Sequence, residues 1–262
     1  MQVEKAFNSA AVKYDEQFTN SAIGRLQRNR VWNYLARAIN SAEYPRVLEL
    51  NCGTGEDAKW FASRGFKVVA TDLSPAMIEA ARIKNPTGVE FEVCSFAQIN
   101  DRFLPGTFDL VFSNFGGLNC ISEKEIRLLA EEISLLLRPN GRFIAVVMSD
   151  NCTMETRYFR RKKMYEEANR RKNTNGVSTT IDGETFTTYY YSPDKFVQMT
   201  SNVFRLKAQQ AVGWTIPPSY TDPYFSRKPM LLKVLNAIEI TFGNIPALAK
   251  KADHFLIDLV KR

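Results

Sequence analysis

At 262 residues, with 45% apolar residues and a formal net charge of +7, the chain has the composition of an ordinary globular protein, and one domain with an elaboration is the simplest expectation. No apolar run reaches the ~20 residues of a membrane span. Met1-Gln2-Val3-Glu4-Lys5 puts an acid where a signal peptide needs an apolar segment, so none is expected. Cys52, Cys94, Cys120 and Cys152 show no paired spacing and, with the single histidine His254, no zinc pattern. Reduced thiols in a cytoplasmic protein are therefore expected. The charge is uneven: residues 1–150 hold 17 Lys and Arg against 18 Asp and Glu, residues 151–262 hold 18 against 10.

In chain order, residues 3–18 and 21–40 predict two helices, the second from the helical spacing of its apolar residues. Strands are expected near 46–50, 66–71, 89–93, 108–113 and 141–148, with helices near 55–64, 75–84 and 122–137. Pro75 behind Ser74 starts one helix, and Arg138-Pro139-Asn140-Gly141 stops another. Strands and helices that alternate in this way predict a Rossmann-like, doubly wound α/β sheet with ligands at the carboxyl ends of its strands. Beyond Met148 come a basic helical stretch over 153–172 and a hairpin of 177–181 with 184–191, turning on Asp182-Gly183. A helix from Ser192-Pro193 to about 202, a strand over 204–213 and helices over 229–241 and 245–252 follow, then a last, antiparallel strand, 254–260. Seven sheet strands result.

The apolar run Val47-Leu48-Glu49-Leu50 breaks at Gly53-Thr54-Gly55 and opens a helix. Glycines there let a ligand approach the backbone, and the N–H groups of a new helix face it. The spacing Gly53-x-Gly55-x-x-Ala58 also fits a dinucleotide fingerprint, so a nicotinamide-dependent oxidoreductase stays open. Asp72, about twenty residues on at the end of the second strand, stands where a carboxylate can take the hydroxyls of a ribose.

Four ordered stretches now carry a resemblance: Val47 to Gly55, Ala70-Thr71-Asp72-Leu73-Ser74-Pro75-Ala76-Met77, Phe108-Asp109-Leu110-Val111-Phe112-Ser113-Asn114, and Leu136 to Arg142. Together they resemble the class I S-adenosylmethionine-dependent methyltransferases. The opening Ala6-Phe7 to Tyr14-Asp15, with Leu26-Gln27-Arg28, resembles the branch of ubiquinone- and malonyl-carrier-type enzymes. The resemblance implies S-adenosylmethionine as cofactor and S-adenosylhomocysteine as product. It implies Glu49 for the cationic tail, Asn51, Cys52, Gly53, Thr54 and Gly55 in the turn, and Asp72 for the ribose. Leu73, Met77, Ser95 and Phe96 would then surround the adenine, Asn114, Phe115 and Gly116 would line the sulfonium side, and Tyr14 and Arg28 would close over the tail. Asn51 replaces the family's first glycine and Ser95 an acid common at that place.

His254, as a general base, and Tyr14 are the candidates for a catalytic role, and Tyr189, Tyr191 and Asn119 for acceptor contacts. No metal is expected, since the strand-end acids stand singly. Residues 1–40 would form a helical cap, 41–148 the cofactor-binding core, 149–192 and 214–252 a substrate lid, and 193–213 with 253–262 the rest of the sheet, in one domain. The expected reaction is methyl transfer to a small or carrier-linked acceptor, preferably a carboxyl or hydroxyl oxygen. The basic second part favours an anionic small molecule or an acyl-carrier-linked substrate. RNA methylation, or RNA binding without catalysis, is the alternative partner reading.

Overall fold

The computed structural model describes residues 2–85 and 87–262; Met1, the first residue of the expected cap, lies outside them. Helix α1 (Gln2–Tyr14) runs into a π-helical turn at Asp15–Thr19, and α2 (Ala22–Ala38) starts on Ser21, whose hydroxyl accepts the Gly24 N–H. The expected first helix thus ends four residues early, in a wider turn of a kind that often marks functional positions. Then come β1 (Arg46–Leu50), α3 (Glu56–Ala62), β2 (Lys67–Asp72), α4 (Pro75–Lys84), β3 (Val89–Val93), α5 (Ile99–Arg102), β4 (Phe108–Ser113), α6 (Glu123–Leu136) and β5 (Leu137–Met148). The stop at 138–141 holds for α6, yet β5 begins before it. Leu137 already pairs with Phe108, and a register shift follows at Asn140, whose φ is +62°.

The remaining elements are α7 (Thr153–Arg161), α8 (Tyr165–Asn169), β6 (Val177–Ile181), β7 (Glu184–Thr188), α9 (Pro193–Thr200), β8 (Phe204–Val212), α10 (Asp222–Phe225), α11 (Pro229–Phe242) and β9 (His254–Lys261). The basic stretch is two helices rather than one, because Lys163 adopts φ +60° between them. Residues 246–251 form a 3-10 turn where an α-helix was expected. The sheet runs β3-β2-β1-β4-β5-β9-β8, with β1 to β5 mutually parallel and β9 antiparallel to both its neighbours. This is the expected seven-stranded Rossmann-like sheet. One apolar cluster, around Phe108, Ile133, Phe196 and Phe255, covers one face, and a second, around Val31, Phe61, Phe112 and Leu256, covers the other.

Strand order places the glycine turn, the end of β4, residue 149, residue 214 and His254 at one edge. The pair β6–β7 forms a separate sheet that leans on α1 through Phe7 and Phe186, ring centres 5.9 Å apart. Its turn has φ +47° at Asp182 and +87° at Gly183, the two positive values that suit a two-residue hairpin. An added Cβ at Gly183 meets nothing within 4 Å. Gly183→Ala therefore carries only the backbone penalty of about 1 kcal/mol, and thermal unfolding should register a drop of roughly 2–4 °C.

Candidate active site

The turn after β1 is built from left-handed backbone: Asn51 at φ +48°, Gly53 at +54° and Gly55 at +80°. Asparagine is the side chain that best tolerates this where a glycine is absent. Asn51 is held there by its own amide, which donates to Asn114 O (2.7 Å) and accepts from Ser113 Oγ (2.6 Å). Next to it Asp72, at the end of β2, accepts the N–H groups of Gly53 and Ser74, each at 2.9 Å. Burial pushes the Asp72 carboxyl up, against backbone N–H groups that favour its charge.

A cleft of about 270 Å³ opens at this point. Of the expected residues, Tyr14, Asn51, Gly53, Asp72, Leu73, Met77, Phe96 and Phe115 line it. Val3 and Phe7 of α1, together with Cys94, Gly117, Cys120, Ile121 and Glu125, complete the wall and were not anticipated. For α1 the signal was available: Val3, Phe7 and Tyr14 recur at helical spacing, on the face that α1 turns inward.

Beneath the cleft lies a polar cluster centred on Asp57, an acid in the first turn of α3 to which the sequence alone assigned no role. Asp57 receives Arg28 in an ion pair, Trp32 Nε1 at 2.6 Å and Asn114 Nδ2 at 2.9 Å. Glu49 is only 1% exposed. Its carboxyl is raised well above the usual range, first by burial, then by the charge of Asp57, with Arg28 pulling the other way. Three buried polar atoms of this cluster have no protein partner: Glu49 Oε2, Arg28 Nε and Asn114 Oδ1. Two acceptors and one donor are thus left open together, an arrangement that costs stability unless something binds.

Several expected residues stand elsewhere. The Thr54 hydroxyl donates to Asp15 Oδ1 (2.5 Å), and Lys84 bridges Asp15 and Glu56, so Thr54 latches the π-helical turn to the core. Cys52 is buried with its thiol pushed well up by burial. Ser95 donates to Gln98 Oε1 (2.8 Å) at the start of a 3-10 turn and does not line the cleft. Gly116 (φ +79°) only shapes the loop after Phe115.

Asn119 and Tyr191 are corrections. Asn119 is fully buried, with Nδ2 on Met148 O and Tyr189 O and Oδ1 on Met148 N–H. Tyr191 is 6% exposed and donates to Ile121 O at 2.5 Å. The three tyrosines do not alternate across the hairpin because β7 ends at Thr188. Asn119 draws Tyr189 off the pair, and Tyr191 bridges to Ser149 beside β5. Tyr189 packs partly buried against the main core.

The two catalytic candidates fare differently. Burial, partly offset by Arg28, pushes the Tyr14 hydroxyl up to about 12, so it keeps its proton. His254 opens β9 at the ligand edge, 5.3 Å edge-on from Phe115, which separates it from the cleft. Its Nδ1 lies 3.3 Å from Asp253 Oδ2 without hydrogen-bond alignment. Phe115 itself is held at φ +44° under Phe18 and the Arg28 guanidinium, strain of about 1–3 kcal/mol concentrated beside the cleft.

Residues 47–141 match a methyltransferase domain family. A demethylmenaquinone methyltransferase of Clavibacter sepedonicus is 31% identical over 55% of this chain and 56% of its own length. A malonyl-[acyl-carrier protein] O-methyltransferase of Enterobacter lignolyticus is 29% identical over 53% of this chain and 50% of its own. The chain thus spans about half the length of the curated relatives it matches. The crystal structure of 1,6-didemethyltoxoflavin-N1-methyltransferase from Burkholderia thailandensis, with S-adenosylhomocysteine bound, superposes at TM-score 0.60 and 16% identity, over 99% of this chain and 87% of that one. By this match residues 47–141 carry a methyltransferase domain, and the seven-stranded sheet gives the chain the fold of the S-adenosylmethionine-dependent methyltransferases.

Proposed function

We propose that the chain moves a methyl group from S-adenosylmethionine to a small-molecule or carrier-linked acceptor, with a carboxyl or hydroxyl oxygen preferred. One observation carries the reading: the open trio Glu49 Oε2, Asn114 Oδ1 and Arg28 Nε beside a nucleoside-sized cleft. The first two would accept from the ammonium of the cofactor's tail, and the third would donate to its carboxylate. Asp72 would hold the ribose hydroxyls, and Leu73, Met77 and Phe96 the adenine. When bound, the cofactor supplies an electrophilic methyl on positive sulfur. Tyr14, Phe115 and Phe7 exclude water, and the walls around Cys120, Ile121 and Glu125 would orient the acceptor; alignment of this kind is worth roughly 7–11 kcal/mol.

An acceptor that is already a carboxylate needs no strong base, which suits a site whose tyrosine stays protonated and whose histidine stands behind Phe115. The malonyl-carrier relative supports the carboxyl preference, and the demethylmenaquinone relative keeps a larger apolar acceptor in view. Segments 149–192 and 214–252 leave the sheet at the ligand edge, which supports their role as the lid. The four free cysteines support a cytoplasmic setting, and among the described residues no helix is long and apolar enough to cross a membrane.

Calorimetry with S-adenosylhomocysteine and with NAD tests the reading: binding of the first and not the second is expected, and the reverse restores the oxidoreductase alternative. Phe96→Ala removes one adenine contact and should weaken S-adenosylhomocysteine about fivefold, near 1 kcal/mol. An unchanged Kd would place the base elsewhere. Transfer of labelled methyl to malonyl carriers, and not to RNA, decides the acceptor class.

A further inference from the structure

Helix α11 wears its apolar residues outward. At 100° per residue, Met230, Val234, Ala237 and Thr241 share one face, and all four are exposed, Met230 by 70% and Val234 by 55%. Leu231, Ile240 and Phe242, each more than 40% exposed, widen that face on both sides. The helix buries Leu232 and Glu239 instead. Glu239 is its only carboxylate, and it is consumed inside by the N–H groups of Gly213, Trp214 and Thr215. The outward surface therefore carries no acid, while Arg227, Lys228 and Lys233 flank it, all exposed. Alongside runs a groove of about 910 Å³, lined by Arg157, Arg161 and Lys162 of the α7 region on one side and Tyr220, Tyr224 and Leu231 on the other.

Several large apolar side chains exposed together on one helix face mark a contact site. The charge around it selects the occupant. A second copy docking through the same face would set these cations against themselves, whereas an acidic surface complements them. The apolar element is also a convex helix flanked by lysine and arginine, the form that lies flat in a lipid interface. We propose that α11 and the basic rim of α7 seat the protein on the surface of an anionic lipid bilayer, without crossing it. This goes beyond the methyl-transfer reading and stands independently of it.

Vesicle flotation tests the proposal. The full chain should float with vesicles of phosphatidylcholine containing phosphatidylglycerol, should not float with phosphatidylcholine alone, and should be released by added salt. Met230→Glu with Val234→Glu should lower the bound fraction about tenfold or more, and Arg157→Glu with Arg161→Glu should do likewise. All four positions are partly or wholly exposed, and unchanged S-adenosylhomocysteine binding shows that the variants fold. Should that ligand fail to bind even the parent chain, the methyl-transfer reading falls while the flotation result keeps its meaning. No flotation, flotation indifferent to both pairs of substitutions, binding to soluble poly-L-glutamate in place of vesicles, or a dimer abolished by the Met230/Val234 change without any flotation would each overturn it.

Discussion

Glu49→Gln is expected to make the ligand-free protein more stable and the cofactor site worse. The Glu49 carboxyl is buried, has an unpartnered Oε2 and shares its surroundings with Asp57, so ionising it costs more in the folded protein than in the unfolded chain. Because the folded pKa lies above the unfolded one, its favourable contribution is complete below the unfolded pKa. That contribution is lost as pH rises through the folded value. Glutamine keeps the shape and removes the titration, so the variant's melting temperature should exceed the parent's at neutral and higher pH, by about 2–4 °C for each kcal/mol, and the gap should close in acid. The hydrogen bond that the Thr71 hydroxyl donates to the Glu49 carbonyl oxygen, 3.2 Å, is untouched by the change. Binding moves the other way. A hydrogen bond from an ammonium to a buried carboxylate is worth about 2 kcal/mol, so the Kd for S-adenosylhomocysteine should rise roughly thirtyfold. Saturating ligand should reverse the order of the two melting curves. A variant that matches the parent in both measurements would show that Glu49 is a spectator.

The sheet was legible because apolar runs, caps and turn residues agree at each step along residues 46–148, and regular alternation of strand and helix makes those strands parallel. What failed at that level were local interruptions with remote causes. Lys163 takes left-handed backbone without a glycine to announce it, and the tyrosine run leaves its hairpin because Asn119, seventy residues earlier, captures Tyr189 O. In the site, Glu49 and Asp72 stand on one contiguous stretch with the turn, where a spacing argument works. Asp57, on α3, gathers Arg28 and Trp32 from α2 and Asn114 from the end of β4, and no local pattern records that convergence. Thr54 and Ser95 show the converse: right position in the chain, side chain already bonded within the protein.

Arg171 should produce the largest single loss of stability. Every N–H direction of its guanidinium is used: Nε and Nη2 meet Glu155 at 2.9 and 2.6 Å, Nη2 meets Asp253 Oδ1 at 2.7 Å, and Nη1 meets Ser149 O and Asp253 O at 3.1 and 3.0 Å. The side chain is 7% exposed and lies over the Tyr190 ring. It therefore ties α7 and the 170–172 turn to the ends of β5 and β9, the edge where the acceptor is proposed to enter. Methionine has similar length and none of the donors. Arg171→Met leaves the Asp253 carboxylate buried and undercompensated, which typically costs about 3–5 kcal/mol, a fall in melting temperature of roughly 8–15 °C. The pH dependence has a definite sign. Burial alone would raise the Asp253 carboxyl, but His254 and Arg171 outweigh it and hold it well below the usual carboxylate range. Its contribution is thus present above the unfolded pKa and lost as pH falls through the folded one. The parent should accordingly lose more stability in acid than Arg171→Met does. Trypsin provides the local readout: the Arg160-Arg161-Lys162-Lys163 run should be cut earlier in the variant, before global unfolding. If melting temperature falls while that segment stays protected, Arg171 supports the fold as a whole and the segment it anchors is no independent lid.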